Sequence, residues 1–303
     1  MPRPRGTDFV EHKKERKVSK VKIGVLGGSG LYEIEGLTDI EEVRAHTPFG
    51  EPSEAVTIGT LEGVRVAFLP RHGKGHRIMP TELPVRANIY ALKSLGVERI
   101  ISVSACGSMK EEIAPLDIAI PDQLFDRTRA RPSTFFGEGL VVHISFADPF
   151  CSHLSQLLYE AAVEVGGRVH KGGTYLIIEG PQFSTKGESR IYRSWGVDII
   201  GMTAIPEAKL AREAEICYAT LAMVADYDVW HETEEPVTVE MVVRNMLQNV
   251  AMAKRVIRAV LPKIPAQRDC PCATGLKDAI ITQRERIPTE VREKLALLVD
   301  KYL

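Results

Sequence analysis

Residues 25–32, with the sequence VLGGSGLY, join a short apolar run to three glycines and the hydroxyl of Ser29. A strand that enters a glycine-rich loop presents backbone N–H groups, which can bind an anion. A dinucleotide-binding G-x-G-x-x-G motif needs a third glycine where Glu33 stands, and a carboxylate there would face the pyrophosphate. A P-loop ends in Gly-Lys-Ser/Thr, and no lysine lies between Lys22 and Lys74. The loop therefore predicts a small site for orthophosphate or a single phosphate group, with a turn that binds nothing as the alternative.

Outward from this loop, strand-like and helix-like segments alternate along the chain. Strands are predicted over residues 21–26, 97–105, 174–180, 197–202 and 216–225, with a hairpin over 56–70 that turns at Glu62-Gly63. Helices are predicted over residues 84–95, 151–165, 187–195, 206–215, 238–260 and 289–302. The longest helix places Val239, Val242, Met246 and Val250 along one face. This alternation is typical of an α/β fold around a largely buried sheet.

The chain is expected to form a single domain over residues 21–303. No repeat or linker interrupts residues 21–265, so we expect the C-terminal segment, residues 263–303, to pack on the same domain. Residues 1–20 carry seven lysines and arginines against three acidic residues and almost no apolar residues. That composition predicts a disordered basic tail rather than a nucleic-acid-binding arm.

Composition narrows the class of protein. The 303 residues are 44% hydrophobic with a net charge of −1, so the charge balance favours neither nucleic acid nor an anionic membrane as a partner. The basic start is not followed by the apolar run of a secretory signal, and the longest apolar run, residues 216–225, is shorter than a bilayer span. We expect a soluble, cytoplasmic protein.

Polar side chains follow three of the predicted strands. The sequence LPRHGKGH, residues 69–76, places Arg71 and His72 after a strand, and an arginine fork can bind two phosphate oxygens. Ser104 and Thr203 supply hydroxyls at the ends of two further strands. Because ligands of α/β sheets bind at the carboxyl ends of strands, the set favours an anion site. Taken singly, each residue also fits a structural role as a surface charge, a strand cap or a helix N-cap.

Eight motifs together resemble one family. In order they are GVLGGSGLY, TPFGEPSEA, RHGKGHRIMP, SACGSMKEEI, DRTRARPSTFF, IEGPQFSTKGES, GMTAIPEAKLAREAEICYA and ADYDVW. Their order and spacing over roughly residues 21–262 resemble the 5′-methylthioadenosine phosphorylases of the trimeric purine nucleoside phosphorylase superfamily. The resemblance implies a purine nucleoside phosphorylase-like fold, with a central mixed β-sheet flanked by helices. It also implies cleavage of methylthioadenosine by orthophosphate to adenine and 5-methylthioribose 1-phosphate, a step of purine and methionine salvage.

The resemblance assigns roles to individual residues. For phosphate, it implies Ser29, Arg71, His72, Ser104, Thr203 and the backbone N–H of Ala105. For the nucleoside, it implies Phe183 stacked on the purine, Ser184, Asp226 and Asp228 at the purine edge, Met202 beneath the ribose, and His143, Val239 and Val242 around the 5′ substituent. In isolation, Phe183 and Val242 would be interpreted as core residues and His143 as a buried structural histidine.

The chemistry agrees with these roles. Adenine must take up charge as the glycosidic bond breaks, and a carboxylic acid at N7 stabilises that charge. Asp226 is the candidate acid, and we expect its pKa to be raised by enclosure and by Asp228. A bound phosphate dianion stabilises the oxocarbenium-like ribose before it attacks with inversion.

Two rival functions remain open. A 6-oxopurine nucleoside or methylthioinosine phosphorylase typically has asparagine where Asp226 stands. A non-enzymatic, nucleotide-binding protein on the same fold is the rival from another class.

The resemblance has further implications, and the chain departs from the family at a few positions. It implies a homotrimer or a dimer of trimers with no metal and no organic cofactor, phosphate being a co-substrate. Ser29 and Ser104 stand where many relatives have threonine, which keeps the hydroxyl. Ala225 replaces a threonine of the best-known relatives, so one contact near the base is expected to be missing. The C-terminal segment differs more, and no residue is assigned there.

The five cysteines are Cys106, Cys151, Cys217, Cys270 and Cys272. An intracellular chain normally keeps its thiols reduced. The C-x-C of Cys270 and Cys272 resembles an oxidised pair of heat-stable archaeal relatives, and Cys151 and Cys217 match positions paired in some of them. Two cysteines separated by one residue are a poor zinc site alone, so no metal is expected.

Overall fold

The computed structural model describes residues 21–28, 30–31, 34–231 and 239–303, with side chains of the last range described from residue 244. The predicted basic tail, residues 1–20, lies outside this part of the chain, as does Ser29.

The described residues form one mixed β-sheet with helices on both faces. The strands are β1 (Ile23–Gly27), β2 (Thr38–Val43), β3 (Val56–Leu61), β4 (Val64–Pro70), β5 (Arg99–Ser108), β6 (Ile118–Ile120), β7 (Gln123–Arg127), β8 (Val169–Lys171), β9 (Thr174–Ile178), β10 (Ile199–Gly201) and β11 (Cys217–Asp226). The α-helices are α1 (Val85–Ser94), α2 (Ser152–Glu164), α3 (Lys186–Ser194), α4 (Ala204–Glu213), α5 (Val239–Val260) and α6 (Thr289–Val299). Short 3₁₀ turns span Pro80–Glu82, Leu261–Lys263, Pro271–Thr274 and Arg284–Arg286. The expected α/β fold with a central mixed sheet is confirmed.

Strand β5 is the centre of the sheet. It pairs in parallel with β1 on one side and with β11 on the other, and its last two residues pair antiparallel with β10. The β5–β11 ladder is irregular near its end, because Val224 pairs with Cys106 while Asp226 pairs with the next residue, Gly107. Ala225 is therefore an extra residue that interrupts the alternation of β11.

Apolar clusters cover both faces of the sheet. The largest cluster joins α1, α4 and α6 to the sheet, and the next largest joins α2 and α5 to it. The predicted C-terminal segment contributes Leu276, Val291 and Leu295 to the first cluster, so it packs against the domain. In the part of the chain that the structure describes, no helix combines the length and the apolar character needed to cross a bilayer.

Two details differ from the predictions. Helix α5 leaves Met246 43% exposed, whereas Val250 of the same predicted face is half-buried. Its buried face instead includes Asn245 and Asn249, whose amides donate to the backbone carbonyls of Ala225 and Val224. These bonds pair the side-chain N–H groups inside the protein, although Asn249 Oδ1 has no partner among the described residues, and hydrophobic periodicity alone predicts none of this. Strand β2, with the polar sequence TDIEEV, was also not predicted, because it is an exposed edge strand.

Candidate active site

The central strand β5 and its neighbours β10 and β11 bring together residues that the sequence predicts for the site. Ser104 and Ala105 lie in the second half of β5, Thr203 lies two residues after β10, and Asp226 ends β11. Ala105 is exposed although both of its neighbours in β5 are buried. The pairing of β5 with β10 and β11 therefore places hydroxyl groups and a carboxyl group on or next to neighbouring strands.

Tyr175 links two of the predicted phosphate-binding residues. Its hydroxyl lies 3.3 Å from Ser104 Oγ and close to Thr203. Burial raises the pKa of Tyr175, so the phenol stays protonated. A Cβ at Gly201 would lie 2.2 Å from this hydroxyl, so only glycine leaves room for it. Thr203 Oγ1 is buried and makes no hydrogen bond of good geometry among the described residues, although the Tyr175 hydroxyl lies close to it.

Asp226 and Asp228 form a compact acidic pair. Asp226 Oδ1 accepts a 2.8 Å hydrogen bond from the backbone N–H of Asp228, which has φ of 54°. A Cβ at Gly107 would lie 2.9 Å from the same oxygen, so Gly107 gives the carboxyl group its space. Burial raises the pKa of Asp226, and the charge of Asp228 acts in the same direction. Burial also raises the pKa of Asp228. Both groups therefore hold a proton more tightly than in water, as a general acid must.

Arg71 is buried rather than open to the site, with 1% of its surface exposed. Its guanidinium contacts both oxygens of Glu207, and Tyr218 donates to the same carboxylate at 2.8 Å. Arg71 also donates to the carbonyl of Leu26, near the end of β1, and to the carbonyl of Val103, in the middle of β5. The charge of Arg71 is thus balanced within the protein, and its clearest contribution is to join β1 and β5. Glu207 was not singled out in the sequence, although a glutamate between apolar positions of α4 is a signal of a buried partner.

His72 is neutral in this environment. Burial lowers the pKa of His72 to about 4, with the charge of Arg71 acting in the same direction. His72 Nδ1 lies 2.8 Å from the carbonyl of Ile78, and a carbonyl only accepts, so Nδ1 carries the proton. Nε2 is therefore the acceptor nitrogen, suited to the O–H group of a hydrogen phosphate. The ring stacks on His76 at 4.3 Å.

Arg131 organises the predicted ribose and purine residues, and it too was not predicted. It donates to the carbonyls of Met202 and Ile205, at 2.5 Å and 2.8 Å, and to Glu179 Oε1 at 3.1 Å. Met202 packs on Gly180, where a Cβ would lie 2.5 Å from its sulfur. Arg131 therefore joins the loop after β9 to the turn after β10.

The purine-binding candidates lie on the loop after β9. Phe183 is 80% exposed, with a face free to stack on a planar ligand. Ser184 is buried, and its Oγ has no hydrogen-bond partner within the described chain.

The structure does not bring His143 to these residues. His143 donates from its backbone to the carbonyl of Ala279 at 2.9 Å and lines a separate groove of about 1430 Å³ with the C-terminal segment. Among the described residues, Asp226, Ser104 and Thr203 do not line that groove. The side chains of Val239 and Val242, like Ser29, lie outside the described part.

Comparisons with known proteins identify the family. A profile of the phosphorylase superfamily matches residues 22–262. The chain is 58% identical over 282 residues to an S-methyl-5′-thioadenosine phosphorylase of Geobacter sulfurreducens, covering 93% of this chain and 99% of that protein. It is 57% identical over 289 residues to one of Gloeobacter violaceus, covering 93% and 96%.

Solved structures agree with these relatives. A methylthioadenosine phosphorylase from an antarctic soil metagenomic library matches with a TM-score of 0.90 and 48% identity, over 93% of this chain and 100% of that one. The Schistosoma mansoni methylthioadenosine phosphorylase in complex with adenine matches with a TM-score of 0.76 and 34% identity, over 93% and 98%. The chain belongs to the phosphorylase superfamily and, within it, to the S-methyl-5′-thioadenosine phosphorylases. The resemblance drawn from the motifs is thereby confirmed.

Proposed function

We propose that the chain cleaves 5′-methylthioadenosine with orthophosphate, giving adenine and 5-methylthioribose 1-phosphate. The observation that carries this proposal is the half-buried pair Asp226 and Asp228 at the end of β11, beside the hydroxyl groups of Ser104 in β5 and Thr203 after β10. Displacement at an anomeric carbon requires an acid on the side of the leaving group and an anion site on the opposite side. The sequence relatives named above carry this activity.

Asp226 acts on the leaving purine. Because burial raises its pKa, it can hold a proton for N7 as the glycosidic bond weakens. The backbone N–H of Asp228 fixes its Oδ1, so the proton is presented from a defined direction. Asp228 therefore positions the acid, while its backbone N–H lowers the pKa of Asp226 by more than its charge raises it, so burial is the cause of the raised pKa.

The proposed phosphate site is formed by neutral groups. Ser104, Thr203 and His72 offer hydroxyl groups and one acceptor nitrogen, and Ala105 offers its N–H. A phosphate held there stabilises the positive charge that develops on the ribose, then attacks the opposite face from the purine. These residue roles, with those of Phe183, Ser184 and Met202, remain part of the proposal. We also propose that phosphate is the only co-substrate and that no organic cofactor takes part.

Product analysis tests the reaction. The enzyme is incubated with methylthioadenosine, methylthioinosine or adenosine, each with and without phosphate, and the free base is identified by chromatography. Phosphate-dependent release of adenine, fastest from methylthioadenosine, is the expected result. Preferred release of hypoxanthine would assign a 6-oxopurine phosphorylase instead, and no release in any arm would overturn an enzymatic role.

We propose that the enzyme works as a cytoplasmic homotrimer. Phe125 and Trp195 support an interface, because their exposed rings pack together at 5.4 Å on the surface. His143 supports it as well, since it lies apart from Asp226 within one chain and would reach a 5′ substituent only in a neighbouring copy. Light scattering measures the number of copies. Mixing His143→Ala with Asp226→Asn subunits should restore part of the activity if sites are shared between copies, and no recovery would place each site within one chain.

A further inference from the structure

Four of the five cysteines converge at one buried point. Cys151 precedes α2, Cys217 begins β11, and Cys270 and Cys272 belong to the turn that starts the C-terminal segment. Their sulfur atoms all lie within 4.8 Å of one another, and Cys217 Sγ is 3.2 Å from Cys270 Sγ. The structure has all five cysteines as buried free thiols.

The spacing fits a single central ion. Four thiolates at about 2.3 Å from a tetrahedral zinc ion lie about 3.8 Å from each other, and the observed separations bracket that value. Disulfide bonds join sulfurs in pairs at about 2.05 Å and give no reason for four sulfurs to be mutual neighbours. The 3.2 Å contact of Cys217 with Cys270 also crosses between the two pairs that the family resemblance suggested.

The surroundings suit a site with excess negative charge. Arg99 and Arg268 line a cavity of about 30 Å³ beside Cys151, Cys217 and Cys270. Both arginines also contact Glu98, which offsets part of their charge.

We propose that Cys151, Cys217, Cys270 and Cys272 bind one Zn²⁺ ion per chain through four thiolates. Binding replaces four S–H bonds by four Zn–S bonds and releases four protons to the buffer, with no change of oxidation state. A site closed by four protein ligands is structural rather than catalytic. The sequence predicted no metal because C-x-C alone supplies two ligands, and the fold brings the other two from distant positions.

The ion would fasten the C-terminal segment to the sheet. Beyond the cluster, Ile280 pairs with Val142, and Ala279 accepts from the backbone of His143. The metal therefore anchors the C-terminal residues that pair with the segment containing His143. This last consequence rests on the proposed function, whereas the zinc site itself does not.

Metal content gives the first test. The full-length enzyme is purified under reducing conditions without chelator, and zinc is measured by elemental analysis and native mass spectrometry. We expect one zinc per chain in the wild type and in the matched control Cys106→Ser, whose cysteine is buried outside the cluster. Cys272→Ser and Cys217→Ser should lose most of it. Removal of zinc from the wild type with a thiol-specific mercurial should lower Tm.

A second measurement keeps the test independent of variant folding. Wild-type enzyme reconstituted with Co²⁺ should show the thiolate-to-cobalt charge-transfer absorption of a tetrahedral sulfur site. Disulfides would instead leave fewer than five titratable thiols in unreduced, denatured protein, a mass lower by four hydrogens and no zinc. Any of three results would overturn the proposal. These are the disulfide pattern just described, five free thiols with no zinc taken up from an equimolar solution, and iron in place of zinc. Activity is not the readout, so failure here is distinguishable from failure of the proposed reaction.

Discussion

Arg71 and Glu207 form a buried ion pair across 136 positions of sequence, with Arg71 Nη2 3.1 Å from Glu207 Oε2. Removing one partner of such a pair leaves an uncompensated buried charge and typically costs about 3–5 kcal/mol. We expect Arg71→Ala and Glu207→Gln each to lower the free energy of unfolding by roughly this amount. Arg71→Lys should recover only part of it, because an ammonium cannot reproduce the two-point contact.

Denaturant unfolding of the single and double variants measures this coupling, and phosphate KM is recorded alongside. The double variant Arg71→Met/Glu207→Leu should lose less stability than the sum of its single variants. If Arg71→Ala instead leaves stability unchanged and only raises phosphate KM, then Arg71 binds phosphate directly, as the sequence suggests.

Asp226→Asn tests whether Asp226 makes the enzyme specific for adenine nucleosides over 6-oxopurine nucleosides. An amide donates an N–H to N7 but cannot transfer a proton, so kcat/KM for methylthioadenosine should fall by about 10²- to 10⁴-fold. The ratio of kcat/KM for methylthioadenosine to kcat/KM for methylthioinosine should therefore fall. Asp228→Asn, which keeps the backbone N–H to Asp226, should act more mildly. An unchanged ratio of the two substrates in Asp226→Asn would contradict the role of this residue.

Gly107→Ala should impair catalysis without unfolding the protein. The new Cβ would lie 2.9 Å from Asp226 Oδ1 and 3.2 Å from Ile200 Cγ2, so the acid must move. A small misplacement of an acid typically lowers kcat, and we expect a loss of about 10-fold. Gly187→Ala is the matched control, because its Cβ would meet nothing closer than 3.8 Å. Equal kinetics in the two variants would show that Gly107 does not set the position of Asp226.

His72→Asn tests the neutral histidine in the anion site. The variant loses the acceptor nitrogen that faces phosphate, and the loss of one hydrogen bond should raise phosphate KM by about 10-fold. His76→Asn is the control, since His76 is exposed, stacks on the same ring and has φ of 54°, which asparagine tolerates. Initial rates over a phosphate series provide the measurement, and a similar KM in both variants would argue against contact with phosphate.

Glu213 should make the protein less stable as pH rises. Burial raises the pKa of Glu213 to about 7, against the opposing hydrogen bonds from Phe135 and Thr134. Between about pH 4.5 and pH 7 the folded state binds more protons than the unfolded state, so the stability contribution of Glu213 decreases across that window, by up to about 1.4 kcal/mol per pH unit.

Glu213→Gln should remove this slope, because an amide does not titrate. The free energy of unfolding is measured by denaturant titration at intervals from pH 4.5 to pH 8, with Glu160→Gln, at an exposed position of α2, as the control. The same pH slope in wild type and Glu213→Gln would show that this carboxyl group is not the source.

The sequence predicts most of the fold because its strands and helices carry local signals. The predicted strands 21–26, 97–105 and 216–225 end within three residues of the observed ends at Gly27, Ser108 and Asp226, and the last two strands carry Ser104 and Asp226. The contacts of Arg71 and Arg131 could not be predicted, since their partners are fixed by packing between distant segments. The four-cysteine cluster has the same origin, because proximity in space does not follow from spacing in sequence. The buried asparagines of α5 also escape hydrophobic periodicity, which cannot recognise an amide that is satisfied by a backbone carbonyl.

The extra residue at Ala225 matters for how specificity in this family can change. With an even ladder, position 226 would pair with Ser108 and its side chain would leave the space beside Gly107. The chemistry offered to the base therefore depends on the number of residues before Asp226 as well as on their identity. Directed evolution toward another base should for that reason sample single-residue insertions and deletions around position 225, because substitutions alone never rotate the acid to the other face of the strand.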